Sequence, residues 1–81
     1  MSRFIAVIIR IMRHRRIAKA VLELPIKYRE VIVLFYYEEM TSIEIASLLE
    51  VSENTIKTRL RRGRVLLKTS LSELEWRGDF L

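Results

Sequence analysis

Between positions 54 and 68 the chain carries Lys57, Arg59, Arg61, Arg62, Arg64 and Lys68, with no carboxylate among them. These side chains are permanently charged hydrogen-bond donors. They suit phosphate oxygens and the acceptor edge of guanine, and arginine can donate to either in pairs. Bond-making chemistry is poorly served. The sequence has no cysteine, and His14 is its only histidine. That leaves no workable set of acid, base and nucleophile and no ligand set for a metal, so no catalytic residue, metal or cofactor is expected. Interleaved with the cations, Ile56, Leu60, Gly63 and Leu67 recur at helical spacing. With those four facing inward, the outward arc holds Asn54, Lys57, Thr58, Arg61, Arg62 and Val65, with Arg59 and Arg64 on the flanks. Lys57, Thr58, Arg61 and Arg62 are then the candidates to meet base edges. Ser52 and Thr55, near the start of the helix, and Arg59 and Arg64 are the candidates to hold phosphates. Glu53 either accepts from a cytosine amino group or only serves the helix dipole.

An arc of donors is useful only if something holds it rigidly outward. Ser52 is a good N-cap, and it predicts a helix from about 53 to 70. Thr41 followed by Glu44 fits a capping box, predicting a shorter helix from about 42 to 49 with Ile45, Leu48 and Leu49 on its apolar stripe. Two short helices joined by a tight turn have helix-turn-helix spacing, an arrangement that places the second helix in a DNA major groove. Ile45, Ala46, Leu49, Val51, Ile56 and Leu60 are the expected core of that unit, with Ala46 small where the helices cross. Upstream, Pro25 opens a helix from about 26 to 38 carrying Val31, Leu34 and Phe35 inward, with Tyr28 as a further candidate for that stripe. A further helix, about 16 to 23, would bury Ile17, Ala20, Val21 and Leu24. No convincing strand is found.

The chain's 81 residues suffice for one small domain. Its net charge of +5 favours a polyanionic partner, and the distribution sharpens that statement. Residues 1–22 hold six bases and no acid, residues 23–53 sum to −5, residues 54–68 to +6 and residues 69–81 to −2. A surface built only for solubility would mix its signs. The absence of cysteine agrees with a reducing compartment, so a cytoplasmic location is expected. The longest apolar run, Phe4 to Ile9, ends at Arg10 and is too short for a membrane span or a signal core.

At these same positions the chain resembles a known family. Leu24-Pro25-Ile26-Lys27-Tyr28-Arg29-Glu30-Val31, Tyr37-Glu38-Glu39-Met40-Thr41, Glu44-Ile45-Ala46 and Thr55-Ile56-Lys57-Thr58-Arg59-Leu60, with Arg62-Gly63-Arg64 and Leu67-Lys68, are similar to region 4 of bacterial sigma factors. The extracytoplasmic-function group is the nearest, and the resemblance covers about residues 18 to 70. It implies an all-α domain of four or five helices, of the winged-helix-like DNA-binding superfamily without a wing. It also implies binding to the upstream (−35) promoter element and docking on the flap of the RNA polymerase β subunit, with an anti-sigma factor as a frequent partner. The family's base-reading positions fall on Lys57, Thr58, Arg61 and Arg62, and its backbone-holding positions on Thr55, Arg59 and Arg64. Glu50 stands where many helix-turn-helix proteins have glycine. The region that melts promoters has no counterpart here, so this chain alone is not expected to initiate transcription.

The expected organisation is an amphipathic basic helix at 1–16, a region 4-like domain at 17–75 and a tail at 76–81. The first helix has three readings: packing on the domain, an apolar face that drives homodimerisation, or binding to a membrane surface, the last being the least favoured. His14 reads as a surface residue. Trp76 and Phe80 read as a tail covering part of the core. Two other functional readings are kept: a response-regulator-type helix-turn-helix effector domain, and a region-4-only module that binds an anti-sigma factor or polymerase without needing DNA.

Overall fold

A computed structural model describes residues 15–71, and the expected N-terminal helix, His14, Trp76 and Phe80 lie outside that range. Among the described residues the fold is all-helical, without strands. Helix α1 spans Arg15–Leu22, α2 Ile26–Ile32, α3 Ser42–Leu49 and α4 Glu53–Ser70. A π-helical turn, Val33–Tyr37, continues α2.

The first two helices meet at a short corner. Ile17, Ala20, Val21 and Leu24 are all buried. The guanidinium of Arg29 donates to the carbonyl of Leu22 at 2.9 Å, satisfying an acceptor that the end of α1 leaves without an intrahelical partner. Pro25 precedes α2 with φ −51° and ψ 146°, and its carbonyl accepts from the backbone N–H groups of Tyr28 and Arg29.

The segment after Ile32 departs from the expected continuous α-helix. There the backbone widens, and the N–H of Glu38 donates to the carbonyl of Val33, five residues back. One residue is thereby added to the turn, and the inward face shifts with it. Ile32 and Tyr37, five apart, are buried, while Leu34 and Phe35, the expected inward pair, are only half-buried against the core. Phe35 and Tyr36 meet edge to face with ring centroids 5.0 Å apart.

Helix α3 starts on the expected capping box. The Glu44 N–H donates to the Thr41 hydroxyl at 3.1 Å, and the Thr41 N–H donates to the Glu44 carboxylate at 2.9 Å. Ile45 and Ala46 are buried, but Leu48 is 58% exposed, so the expected stripe is corrected there. Around the helix the covered positions Ile45, Leu49 and Ala46 fall within an arc of about 100°, and Leu48 lies about 60° outside its Ile45 edge. The turn that follows uses Glu50 in the left-handed region, at φ 57° and ψ 44°. The N–H groups of Glu50 and Val51 both donate to the Ala46 carbonyl, which closes the end of the helix.

Candidate nucleic-acid interface

Among the described residues, all eight expected contact residues lie on one long helix or at its N-cap. Helix α4 begins at Ser52, whose hydroxyl accepts from the Thr55 N–H at 3.1 Å and lies 2.9 Å from the Thr55 hydroxyl. Glu53 in the first turn faces the positive end of the helix dipole. Eighteen residues extend the helix about 27 Å, long enough to span a major groove about 12 Å wide and still anchor in the core.

The inward stripe is Ile56, Leu60, Gly63 and Leu67, all buried. At Gly63 an added Cβ would sit 3.1 Å from Ile32 Cγ1 and 3.3 Å from Ile32 Cδ1, and Ile32 is itself fully buried. The glycine is therefore a close-approach residue that lets α2 and α4 touch. Leu49 and Val51 are partly buried and pack on the same cluster, which also contains Ile45, Ala46, Ile56 and Leu60.

The opposite side carries the cations. Lys57, Arg61 and Arg62 are exposed, as is Asn54, while Thr55, Thr58, Arg59 and Arg64 are half-buried. A surface groove of about 370 Å³ runs along this side, lined by Lys27, Tyr28, Asn54, Thr55, Thr58, Arg59 and Arg62. No carboxylate lines it, and its charged lining residues, Lys27, Arg59 and Arg62, are all cations. Four of the eight expected contact residues thus come together in one concavity: Thr55, Thr58, Arg59 and Arg62. Lys57 and Arg61 stand exposed outside its lining, and Ser52 is committed to the cap.

Three features were not anticipated from the pattern of residues. Lys27 and Tyr28 supply a second wall of the groove from α2, with the Lys27 ammonium 5.1 Å from the Tyr28 ring centroid. No periodicity within α4 could have signalled them, because they join the groove only through the packing of α2 against α4. The Arg64 guanidinium donates to the Tyr36 hydroxyl at 2.7 Å, which ties α4 to the π-helical turn. Glu53 accepts from the Ser42 hydroxyl at 2.9 Å and pairs with Lys57 at 3.8 Å. No cluster of three or more metal-ligating side chains occurs among the described residues.

Comparison with known proteins bears on this arrangement. Residues 14–67 match the family model described as "Sigma-70, region 4". The chain is 47% identical over 58 residues to the ECF RNA polymerase sigma factor SigW of Bacillus subtilis, a match covering 72% of this chain and 31% of the relative. It is 37% identical over 51 residues to the RNA polymerase sigma factor SigV of the same organism, covering 63% of this chain and 31% of that relative. The chain thus spans less than a third of the length of each relative. No solved structure matches it.

Proposed function

The chain belongs to the sigma-70 region 4 family, and from that premise we propose that it binds the −35 element of promoter DNA as domain 4 of an ECF-type sigma factor, the part through which such a factor directs RNA polymerase in transcription initiation, without catalysis of its own. One observation carries the reading. Helix α4 has its apolar stripe covered, while Lys57, Arg61 and Arg62 stand exposed on the other side, beside a groove with no carboxylate.

The mechanism begins with charge. Phosphates draw the basic side toward the duplex and release counterions. Thr55, Arg59 and Lys27 then hold the backbone. Ser52 contributes the N-terminal end of the helix, and Arg64 contributes from its tether on Tyr36 those guanidinium N–H groups not used there. Lys57, Thr58, Arg61 and Arg62 select the sequence by donating to base acceptors or touching a thymine methyl.

The protein partner in this reading is core polymerase, through its β flap, with an anti-sigma factor as its competitor. An apolar groove of about 120 Å³ lined by Ala18, Val21, Leu22, Val33 and Tyr37 supports a protein contact on this fold, and Leu22 and Ile26 are strongly exposed. No helix among the described residues is long and apolar enough to cross a membrane.

Selection of bound sequences from random duplexes, with and without core polymerase, tests the proposal. A single recurrent motif, enriched further when polymerase is added, is expected. Recovery of unrelated sequences under both conditions would sink the −35 reading.

A further inference from the structure

The Glu53 carboxylate sits at a junction. Its Oε2 accepts from the Ser42 hydroxyl at 2.9 Å, across the turn from the start of α3, and the same oxygen lies 3.8 Å from the Lys57 ammonium on the outward side of α4. The hydroxyl contact is partly buried, whereas the ion pair is open to water, with side-chain exposures of 62% for Lys57 and 38% for Glu53. The anchored end is thus on the scaffold, and the exchangeable end is the cation. Lys57 is the first cation of the +6 block, one turn after Glu53, and Glu53 is the last acid before that block.

We propose that Glu53 is a positioning and specificity-determining residue: held by Ser42, it withholds Lys57 from phosphates and yields it to a base edge. This rests on the DNA-binding reading above. The physical reasoning concerns what Lys57 must exchange. A long lysine side chain freed from its partner would neutralise the nearest phosphate on any duplex, since phosphate attraction carries no sequence information. Paired with Glu53, it is drawn toward the N-terminal turns of α4, the end of a recognition helix that meets base edges. It leaves the carboxylate only where an acceptor of comparable strength, such as the guanine O6/N7 pair, replaces it. The carboxylate also repels phosphates that approach without offering such an exchange. Ser42 matters because an unanchored glutamate would follow the lysine instead of directing it.

The test uses the full chain, a duplex carrying the selected motif and a scrambled duplex of equal length, titrated over a salt series. Glu53→Gln is expected to tighten binding to the scrambled duplex about threefold and to steepen its log–log salt slope by about one, as one more phosphate is neutralised. Binding to the motif should change less, so discrimination falls. Ser42→Ala should act in the same direction with smaller size. In a Lys57→Gln background, Glu53→Gln should no longer change discrimination, because the partner through which it acts is gone. Circular dichroism separates these effects from loss of helix. Unchanged discrimination in Glu53→Gln, or a change of equal size in the Lys57→Gln background, overturns the proposal. Failure of the wild-type chain to prefer the motif would instead refute the DNA-binding reading on which it stands.

Discussion

Arg59 and Arg62 lie one turn apart on α4 and line the same groove, yet their exposure differs: Arg59 is half-buried and Arg62 is exposed. A guanidinium held at the groove wall suits a fixed backbone contact, while one that projects freely can reach a base edge. Arg62→Ala is therefore expected to lose about 1–3 kcal/mol on the selected duplex and to relax preference at one base pair. Arg59→Ala and Lys27→Ala should weaken motif and scrambled duplexes alike, and competition binding against both duplexes reads the difference. Equal losses on both duplexes for Arg62→Ala would abolish the division of roles. Gly63 makes a different point at the same scale. An exposed helical glycine replaced by a larger residue usually stabilises, but here the space is already filled by Ile32. Gly63→Leu should destabilise by about 3 kcal/mol through overpacking, seen as a lowered midpoint in denaturant.

At the scale of elements, the helix ends hold the geometry of the motif. The reciprocal bonds between Thr41 and Glu44 start α3, and the Ser52 hydroxyl starts α4. Thr41→Ala is expected to cost about 1 kcal/mol. The turn between them is strained, because Glu50 occupies left-handed backbone that glycine adopts without penalty. Glu50→Gly is expected to stabilise the domain by about 1 kcal/mol, with part of the relief offset by the freer unfolded chain. For a chain of this size that is a rise of about 4–8 °C in Tm, measurable by calorimetry. A fall in Tm would mean that Glu50 makes a compensating contact larger than its backbone strain.

At the scale of the molecule, the separation of sign matters more than the net charge. Residues 54–68 carry +6 and residues 23–53 carry −5, and the fold places the first of these on an exposed helical side. Neutralising four to six phosphates predicts a log–log salt slope of roughly −4 to −5. A slope near zero in a titration from low to physiological salt would show that the basic side does not lie along a duplex. The core beneath that side joins all four helices through Ile17, Val21, Ile32, Ile45, Ile56 and Leu67, so the donors of α4 are mounted on a shared base.

Helix boundaries and the inward stripe of α4 were legible in the sequence because both are local. Caps at Thr41 and Ser52 act within three residues, and the spacing of Ile56, Leu60, Gly63 and Leu67 repeats with the helix itself. Family resemblance followed from the same residues. The tertiary structure alone decided what depends on contacts between elements. The π-helical turn moved burial from Leu34 and Phe35 to Tyr37, a shift of register that α-helical spacing cannot encode. Leu48 fell outside the core because the packing covers only the arc of α3 that holds Ile45, Ala46 and Leu49. Arg64 met Tyr36 across 28 residues, Glu53 met Ser42 across 11, and Lys27 entered the groove from another helix, which no local pattern reports. Sequence periodicity states which way a side chain faces on its own helix; only the packing of helices determines what it faces.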